Sequence, residues 1–184
     1  MTLYLLLIGL VAIERLAELI TARRHRAWTL AQGGREYGRG HYPAMVFLHT
    51  VLLVGCVVEP LAAHRPFLPA LGWSALALTV AAQALRWWCI ASLGTRWNTR
   101  VLIVPGLPLV ETGPYRLLRH PNYVAVVVEG FALPLVHTAW LTALGFTVLN
   151  LVLLRVRIGC EESALTDGGR LRAPASRPSA GSRS

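Results

Sequence analysis

One stretch in the carboxy-terminal half, from Gly113 to Tyr123, combines side chains that could bind a charged, water-soluble ligand. Its Gly-Pro start favours a turn, and Pro121 suits the first turn of a helix, so a helix is predicted to begin there. A helix amino terminus offers unpaired N–H groups to a carboxylate. His120 and Tyr123 add hydrogen-bonding rings, and Tyr115 adds an aromatic face for a flat heterocycle or a cation. The alternative is an interfacial belt of aromatic and basic side chains.

Arg157 and Glu161 form a second candidate pair. Four residues apart, they share one face if the chain is helical there. Arg157 could then bind an anion while Glu161 accepts a hydrogen bond from a hydroxyl or an amine. The alternative is an ordinary helical ion pair, which Glu162 could form equally well.

Several ionisable residues lie within apolar runs, where a charge costs roughly 2.5 to 3.5 kcal/mol on insertion scales. Glu129 is a candidate site residue for this reason, and its alternative role is to pair with Arg86 or another polar group. Glu14, Arg15 and Glu18 raise the same question near the end of the first run. Because two glutamates four apart repel each other unless a cation intervenes, a structural salt bridge is favoured there.

The composition indicates the environment of these residues. The chain has 184 residues, 54% of them hydrophobic and 15% charged, below the roughly 25% charged of a soluble domain. All 18 basic residues are arginines, and the net charge is +9. They lie mostly between or after the apolar runs, as expected for charge facing a cytoplasmic leaflet, so we predict no nucleic-acid partner. Three cysteines without paired spacing predict neither a metal site nor disulfides.

Five apolar runs must position the candidate residues, since about 20 apolar residues cross a membrane as a helix. The runs cover about residues 2–22, 42–58, 66–90, 121–136 and 140–154. The last two are so close that they must form an antiparallel hairpin. The sequence therefore predicts an all-α membrane protein with about five transmembrane helices, and a cytoplasmic cofactor-binding connection and tail.

The distribution of arginines predicts the topology. Five lie between the first two runs, four in the connection 91–120 and six in 155–184, whereas only Arg65 lies on the other side. The positive-inside rule then places the connection and the tail in the cytoplasm. We predict one polytopic domain over 1–165, with the cofactor-binding part at about 92–165. Residues 166–184 are predicted to be a disordered basic tail.

Taken together, these motifs resemble the isoprenylcysteine carboxyl methyltransferases. The resemblance rests on Arg-His-Pro-Asn-Tyr at 119–123 after Gly-Pro-Tyr at 113–115, on a glutamate in the next span, and on Arg157-x-x-x-Glu161-Glu162. It covers about 107–165. The amino-terminal half is similar to a bacterial branch associated with O-methylation of long-chain alkylresorcinols or alkylpyrones, through Arg-Leu-Ala-Glu at 15–18 and His-Tyr-Pro-Ala-Met at 41–45.

The resemblance implies S-adenosylmethionine as the cofactor and a bacterial plasma membrane as the location, with the active site facing the cytoplasm. By motif, its contacts fall on ten residues. These are Leu107, Pro108, Leu109, Val110, Tyr115, His120, Pro121, Asn122, Tyr123 and Glu161. Arg157 would face the acceptor as a catalytic and substrate-binding residue, and Arg100 is a further candidate contact.

Two kinds of lipophilic acceptor fit the sequence, and membrane lipids are the other expected partners. A prenylcysteine carboxylate is ionised at pH 7 and needs only Arg157 to orient it. A resorcinol hydroxyl, with a pKa of about 10, would need a base such as Glu129, His49 or His41. The polar residues within the spans slightly favour the second acceptor, which makes Glu129 a candidate catalytic residue and His49 a candidate substrate contact.

Two other functions compete with this interpretation. A membrane NADPH-dependent reductase of the steroid- or sterol-reductase type has a similar Arg-His-Pro-x-Tyr motif. No further basic cluster for a 2′-phosphate is present, which argues against it. A non-catalytic membrane scaffold is the other alternative, but it would not need a buried Glu129.

Overall fold

Each of the five apolar runs forms an α-helix in the computed structural model, which describes residues 1–108 and 110–170. The helices are α1 (Thr2–Ala31), α2 (Tyr42–Ala62), α3 (Pro69–Leu93), α4 (Pro121–Leu135) and α5 (Trp140–Arg170). Over the described residues, three segments are long and apolar enough to cross a membrane, namely Tyr42–Ala62, Pro69–Arg96 and Trp140–Ala164. The predicted class, an all-helical membrane protein, is confirmed.

The first and last helices continue well beyond their apolar runs. α1 ends at Ala31 rather than near residue 22, and α5 continues to Arg170. Arginine, alanine and leucine occur in both extensions, and glutamate occurs in that of α5. These residues are good helix formers, so the helices continue where the apolar runs stop. The predicted tail thus begins within α5 at residue 166, and residues 171–184 lie outside the described part of the chain.

The bundle has a small apolar core and a large apolar outer surface. Tyr4, Leu52, Leu133 and Phe146 belong to the buried core. Large apolar side chains remain exposed along the helices, including Leu3, Leu6, Phe47, Trp73 and Val148. In water such a surface would promote association, whereas in a bilayer it faces the hydrocarbon.

Charged side chains from α1, α3 and α4 meet inside the bundle. Arg15 donates from Nη1 to Glu18 at 2.7 Å and from Nη2 to Glu129 at 2.8 Å. Arg86 donates from Nε to Glu18 at 2.6 Å and lies 4.0 Å from Glu129. The salt bridge favoured for the first helix is therefore present, and it extends to Glu129. Pairing of this kind offsets the cost of carrying charges through a membrane.

A carboxylate of α2 holds the beginning of α5 at one end of the bundle. Glu59 accepts hydrogen bonds from the backbone N–H groups of Leu141 and Thr142, at 3.2 and 2.7 Å, and from the Thr142 hydroxyl at 2.8 Å. The first N–H groups of a helix have no partner within it. Glu59 satisfies two of them, and it also pairs with Arg65 at 3.1 Å.

A two-stranded antiparallel sheet ties the connecting segments together at the other end. Strand β1 (Arg35–Tyr37) pairs with β2 (Val101–Ile103). Glu36 accepts hydrogen bonds from Arg26, at 2.8 Å, and from Arg100. Burial raises the pKa of Glu36, but the hydrogen bonds from Arg100 and Arg26 outweigh burial and hold it below its ordinary value. The sequence did not predict this sheet, because three-residue strands are too short to show alternation.

Candidate active site

A cavity of about 580 Å³ lies at the sheet end of the bundle. The end of α1, the connection between α3 and α4, and α5 form its walls. It brings together most of the residues predicted to contact a cofactor or an acceptor. Those on its wall are Leu107, Pro108, Val110, Tyr115, His120, Asn122, Tyr123, Arg157 and Glu161. Leu109 lies outside the described residues.

A hydrogen-bonded chain of three side chains crosses from α5 to α4 and back. Arg157 donates from Nε to the Tyr123 hydroxyl at 2.9 Å, and this hydroxyl donates to Glu161 at 2.5 Å. Arg157 is 6% exposed, and its Nη1 lies 3.1 Å from the Met45 sulfur. Tyr123 thus joins the two residues that the sequence placed on one helix face, while Glu162 pairs with Arg119 at 3.2 Å.

Two polar atoms beside these three side chains have no partner among the residues that the structure describes. His120 stacks on Tyr123, with ring centroids 5.2 Å apart, and its Nδ1 lies 4.0 Å from Glu161. Its Nε2 is buried and, like Oδ1 of Asn122, has no hydrogen-bond partner among the described residues. Buried polar atoms are paired in most native structures. These two atoms, on residues that line the cavity at the start of α4, suit a polar ligand.

Tyr115 lies on a short 3₁₀ turn, Gly113–Arg116, before α4. Burial, with the Cys89 thiol beside it, raises the pKa of Tyr115 well above its ordinary value, so its hydroxyl keeps its proton at neutral pH. Gly113 has φ of 58°, and a Cβ there would overlap the Ser92 side chain. Only glycine fits this turn without strain, which explains its place before Pro114.

The cavity wall does not include three of the predicted site residues, Pro121, Glu129 and His49. Pro121 is instead buried at the first position of α4. Glu129 accepts hydrogen bonds on both carboxylate oxygens from Arg15, at 2.8 and 2.9 Å. His49 interacts through Nδ1 with the Met45 carbonyl at 2.8 Å and packs edge-on against Phe146. Their roles as base and substrate contact stay predictions, and the geometry favours a structural role for both.

His41 should make stability depend on pH. Burial and then the nearby positive charge of Arg157 lower the pKa of His41 below its ordinary 6.5. The unfolded chain thus binds this proton at a higher pH than the folded protein does. Stability is complete above pH 6.5 and decreases as the pH falls through the lowered pKa. We expect the apparent melting temperature of the wild type to fall more between pH 7.5 and 5 than that of His41→Gln. Equal slopes would contradict this assignment.

Sequence reasoning missed several cavity residues, among them two tryptophans. Trp28 and Thr29 line it from the end of α1, and Trp97 lines it from the connection after α3. The signal available was weak, namely a tryptophan in an otherwise polar connection. Arg100, a further candidate in the sequence, also lies on the wall.

The sequence of this chain also matches a known protein family and two bacterial proteins. Residues 75–167 match the model of the isoprenylcysteine carboxyl methyltransferase family. The chain is 37% identical over 163 residues to the uncharacterized protein YpbQ of Bacillus subtilis (strain 168), which covers 88% of this chain and 96% of that relative. An uncharacterized protein of Haemophilus influenzae is 27% identical over 144 residues, with 78% and 83% covered. No solved structure gives a significant match.

Proposed function

The chain belongs to the isoprenylcysteine carboxyl methyltransferase family, and from this membership we propose that it methylates an oxygen of a lipophilic acceptor, with S-adenosylmethionine as the cofactor. The observation that supports the proposal is the hydrogen-bonded series Arg157–Tyr123–Glu161 on the cavity wall. The Tyr123 hydroxyl thus bonds to both a cation and an anion. Beside it lie Nε2 of His120 and Oδ1 of Asn122, which have no hydrogen-bond partner within the described part of the protein.

The residues present fit this cofactor. When bound, S-adenosylmethionine supplies a methyl group on a positively charged sulfur. Glu161 offers a carboxylate to positive charge, and Tyr123 an aromatic face. Asn122 Oδ1 can accept a hydrogen bond from an amine, while the N–H groups at the start of α4 suit a carboxylate.

The charges around the cavity support an acceptor oxygen that is already ionised. Five arginines line it against two glutamates. They are Arg96, Arg100, Arg116, Arg119 and Arg157 against Glu111 and Glu161. This excess of positive charge favours an anion. None of the three candidate bases, Glu129, His49 and His41, lines the cavity, so we favour a carboxylate or an acidic hydroxyl over a phenol that must first lose its proton.

Arg157 would orient that oxygen. The Tyr123 hydroxyl holds its Nε, and the Met45 sulfur lies against Nη1, so the guanidinium is fixed before an acceptor arrives. Fixed positioning lowers the entropy cost of bringing two reactants together. Burial of the group also keeps water from the nucleophile.

We further propose a bacterial plasma membrane with the cavity facing the cytoplasm. Both reported relatives are bacterial. Arginines are concentrated at the cavity end of the bundle, including Arg23, Arg24, Arg116 and Arg119, whereas Arg65 lies at the other end. This asymmetry follows the positive-inside rule.

Calorimetry on the detergent-purified protein tests the proposal. We expect S-adenosylmethionine and its demethylated product to bind, and NADPH not to bind. Glu161→Ala should weaken cofactor binding about tenfold to a hundredfold, the range for losing a hydrogen bond to a charged group. Glu162→Ala is the matched control, because this neighbouring carboxylate pairs with Arg119 instead. Binding of NADPH alone would overturn the proposal in favour of a lipid reductase.

A further inference from the structure

A second fixed arginine faces the cavity, next to the two-stranded sheet. Arg100 directly precedes β2 and lines the cavity, with its side chain 32% exposed. Its Nη1 donates to Oε1 of Glu36, while Arg26 donates to Oε2 of the same carboxylate at 2.8 Å. The Glu36 side chain is 1% exposed and does not line the cavity, and neither does Arg26. This cluster therefore presents a guanidinium to the cavity and keeps its carboxylate behind it.

The beginning of α2 lies against both Arg100 and Arg157. Cζ of Arg100 lies 4.1 Å from the centre of the Tyr42 ring, a stacked contact that suits a guanidinium. Nη1 of Arg157 lies 3.1 Å from the Met45 sulfur. Tyr42 and Met45 are three residues apart, so they are neighbours on the helix surface. α2 thus holds two guanidiniums at adjacent positions, and each of these arginines lines the cavity.

The positive charge of these two groups is only partly balanced. Arg26 and Arg100 carry two positive charges against the single negative charge of Glu36. By contrast, Arg157 and Glu161 bind to one hydroxyl and form a balanced pair. The proposed cofactor adds positive charge, since its sulfonium and ammonium groups outweigh its one carboxylate. Because like charges repel each other at short range, a ligand that brings a negative charge to each arginine should bind more tightly than a monoanion.

We propose that Arg100 binds a second acidic group of the acceptor, and that Glu36 and Tyr42 are positioning residues for Arg100. This inference rests on the proposed function, in which Arg157 orients the oxygen that is methylated. The acceptor class is then a lipophilic acid that carries two anionic groups. Since Glu36 and Tyr42 fix the guanidinium before the acceptor arrives, little side-chain entropy is lost when it binds.

The test compares two acids that share one tail. The probes are (farnesylthio)acetic acid, with one carboxylate, and (farnesylthio)succinic acid, with two. Calorimetry on the detergent-purified full chain, with the demethylated product of S-adenosylmethionine present, gives a Kd for each acid. The readout is the ratio of the two Kd values, because general damage to the protein weakens binding of both acids and leaves this ratio unchanged.

We expect the wild type to bind the diacid about tenfold more tightly, as for one added hydrogen bond between charged groups. Arg100→Gln should bring the ratio to one, and Glu36→Gln should lower it in part. Arg26→Gln is the matched control and should keep the ratio, because Arg26 binds the same carboxylate but does not line the cavity. Tyr42→Leu should lower the ratio more than Tyr42→Phe, which keeps the ring beside the guanidinium. This pair keeps the test valid if Arg100→Gln does not fold.

Several outcomes would overturn the second acidic contact. These are equal Kd values of the two acids for the wild type, binding of neither acid while the cofactor product binds, and a ratio that survives Arg100→Gln. Weaker binding of the cofactor product by Arg100→Gln, with the ratio unchanged, would assign Arg100 to the cofactor instead. Failure of the wild type to bind S-adenosylmethionine and its product would refute the proposed function itself.

Discussion

Replacing Arg15 by methionine is expected to lower the free energy of unfolding by about 3 to 5 kcal/mol, the usual effect of removing one partner of a buried ion pair. Arg15 serves both Glu18 and Glu129, whose side chains are 4% and 8% exposed. Methionine fills similar space without charge, so both carboxylates lose a cation inside the bundle. Thermal unfolding in detergent micelles measures the loss, as a lower apparent melting temperature.

Two further variants separate loss of pairing from loss of packing. Without Arg15, Glu18 keeps its ion pair with Arg86, whereas Glu129 keeps Arg86 only at 4.0 Å. Adding Glu129→Gln to the Arg15 variant removes this poorly compensated charge, so it should restore much of the stability. Arg65→Met is the matched control. Its partner Glu59 keeps three hydrogen bonds from the start of α5, so a loss below about 1 kcal/mol is expected. Equal losses for Arg15 and Arg65 would show that the interior pairing contributes little.

Replacing Arg157 by alanine should lower kcat/KM for the acceptor about a hundredfold to a thousandfold, the typical effect of removing a preorganised charge or donor. The guanidinium is 6% exposed and fixed by the Tyr123 hydroxyl. Arg157→Lys should recover little of this loss, since the donors of an ammonium all sit on one nitrogen and cannot occupy the positions of both Nε and the terminal nitrogens of the guanidinium. Steady-state kinetics with cofactor at saturation measures the effect.

The controls distinguish orientation of the acceptor from general damage. Met45→Leu keeps an apolar neighbour beside Arg157, so it should change kcat/KM only a few-fold, as for a volume-conserving exchange. Tyr123→Phe leaves the guanidinium in place but removes the hydroxyl that holds it. We expect a loss of kcat/KM between those of Met45→Leu and Arg157→Ala. If Met45→Leu were as damaging as Arg157→Ala, the assignment of Arg157 to the acceptor would be wrong.

The apolar helices could be predicted from the sequence because apolar runs are local signals. The runs at 42–58 and 121–136 correspond closely to α2 and α4. The helix extensions after residues 22 and 154 were missed because polar residues continue a helix without any apolar signal. The pairing of Arg15 with Glu129 was also missed. It joins residues 114 positions apart, and a local pattern contains no information on which helices become neighbours.

The residues of the candidate site likewise fall into those that the sequence could predict and those that it could not. His120, Asn122 and Tyr123 belong to one contiguous motif, so their common position at the start of α4 could be predicted. Trp28 and Trp97 reach the same cavity from distant parts of the chain. Their meeting depends on the contact of His25 with the Trp97 carbonyl and on a sheet whose strands are too short to recognise.

The length of α4 has a consequence for kinetics. Its 15 residues span about 22 Å at 1.5 Å per residue, less than the roughly 30 Å of a bilayer's hydrocarbon core. We therefore expect the His120–Tyr123 end of the cavity to lie near the headgroup level rather than out in solution. The proposed acceptor, dissolved in the bilayer, would then reach Arg157 by lateral diffusion. The rate should follow the mole fraction of acceptor among the lipids, and diluting the acceptor with inert lipid at constant bulk concentration should slow turnover.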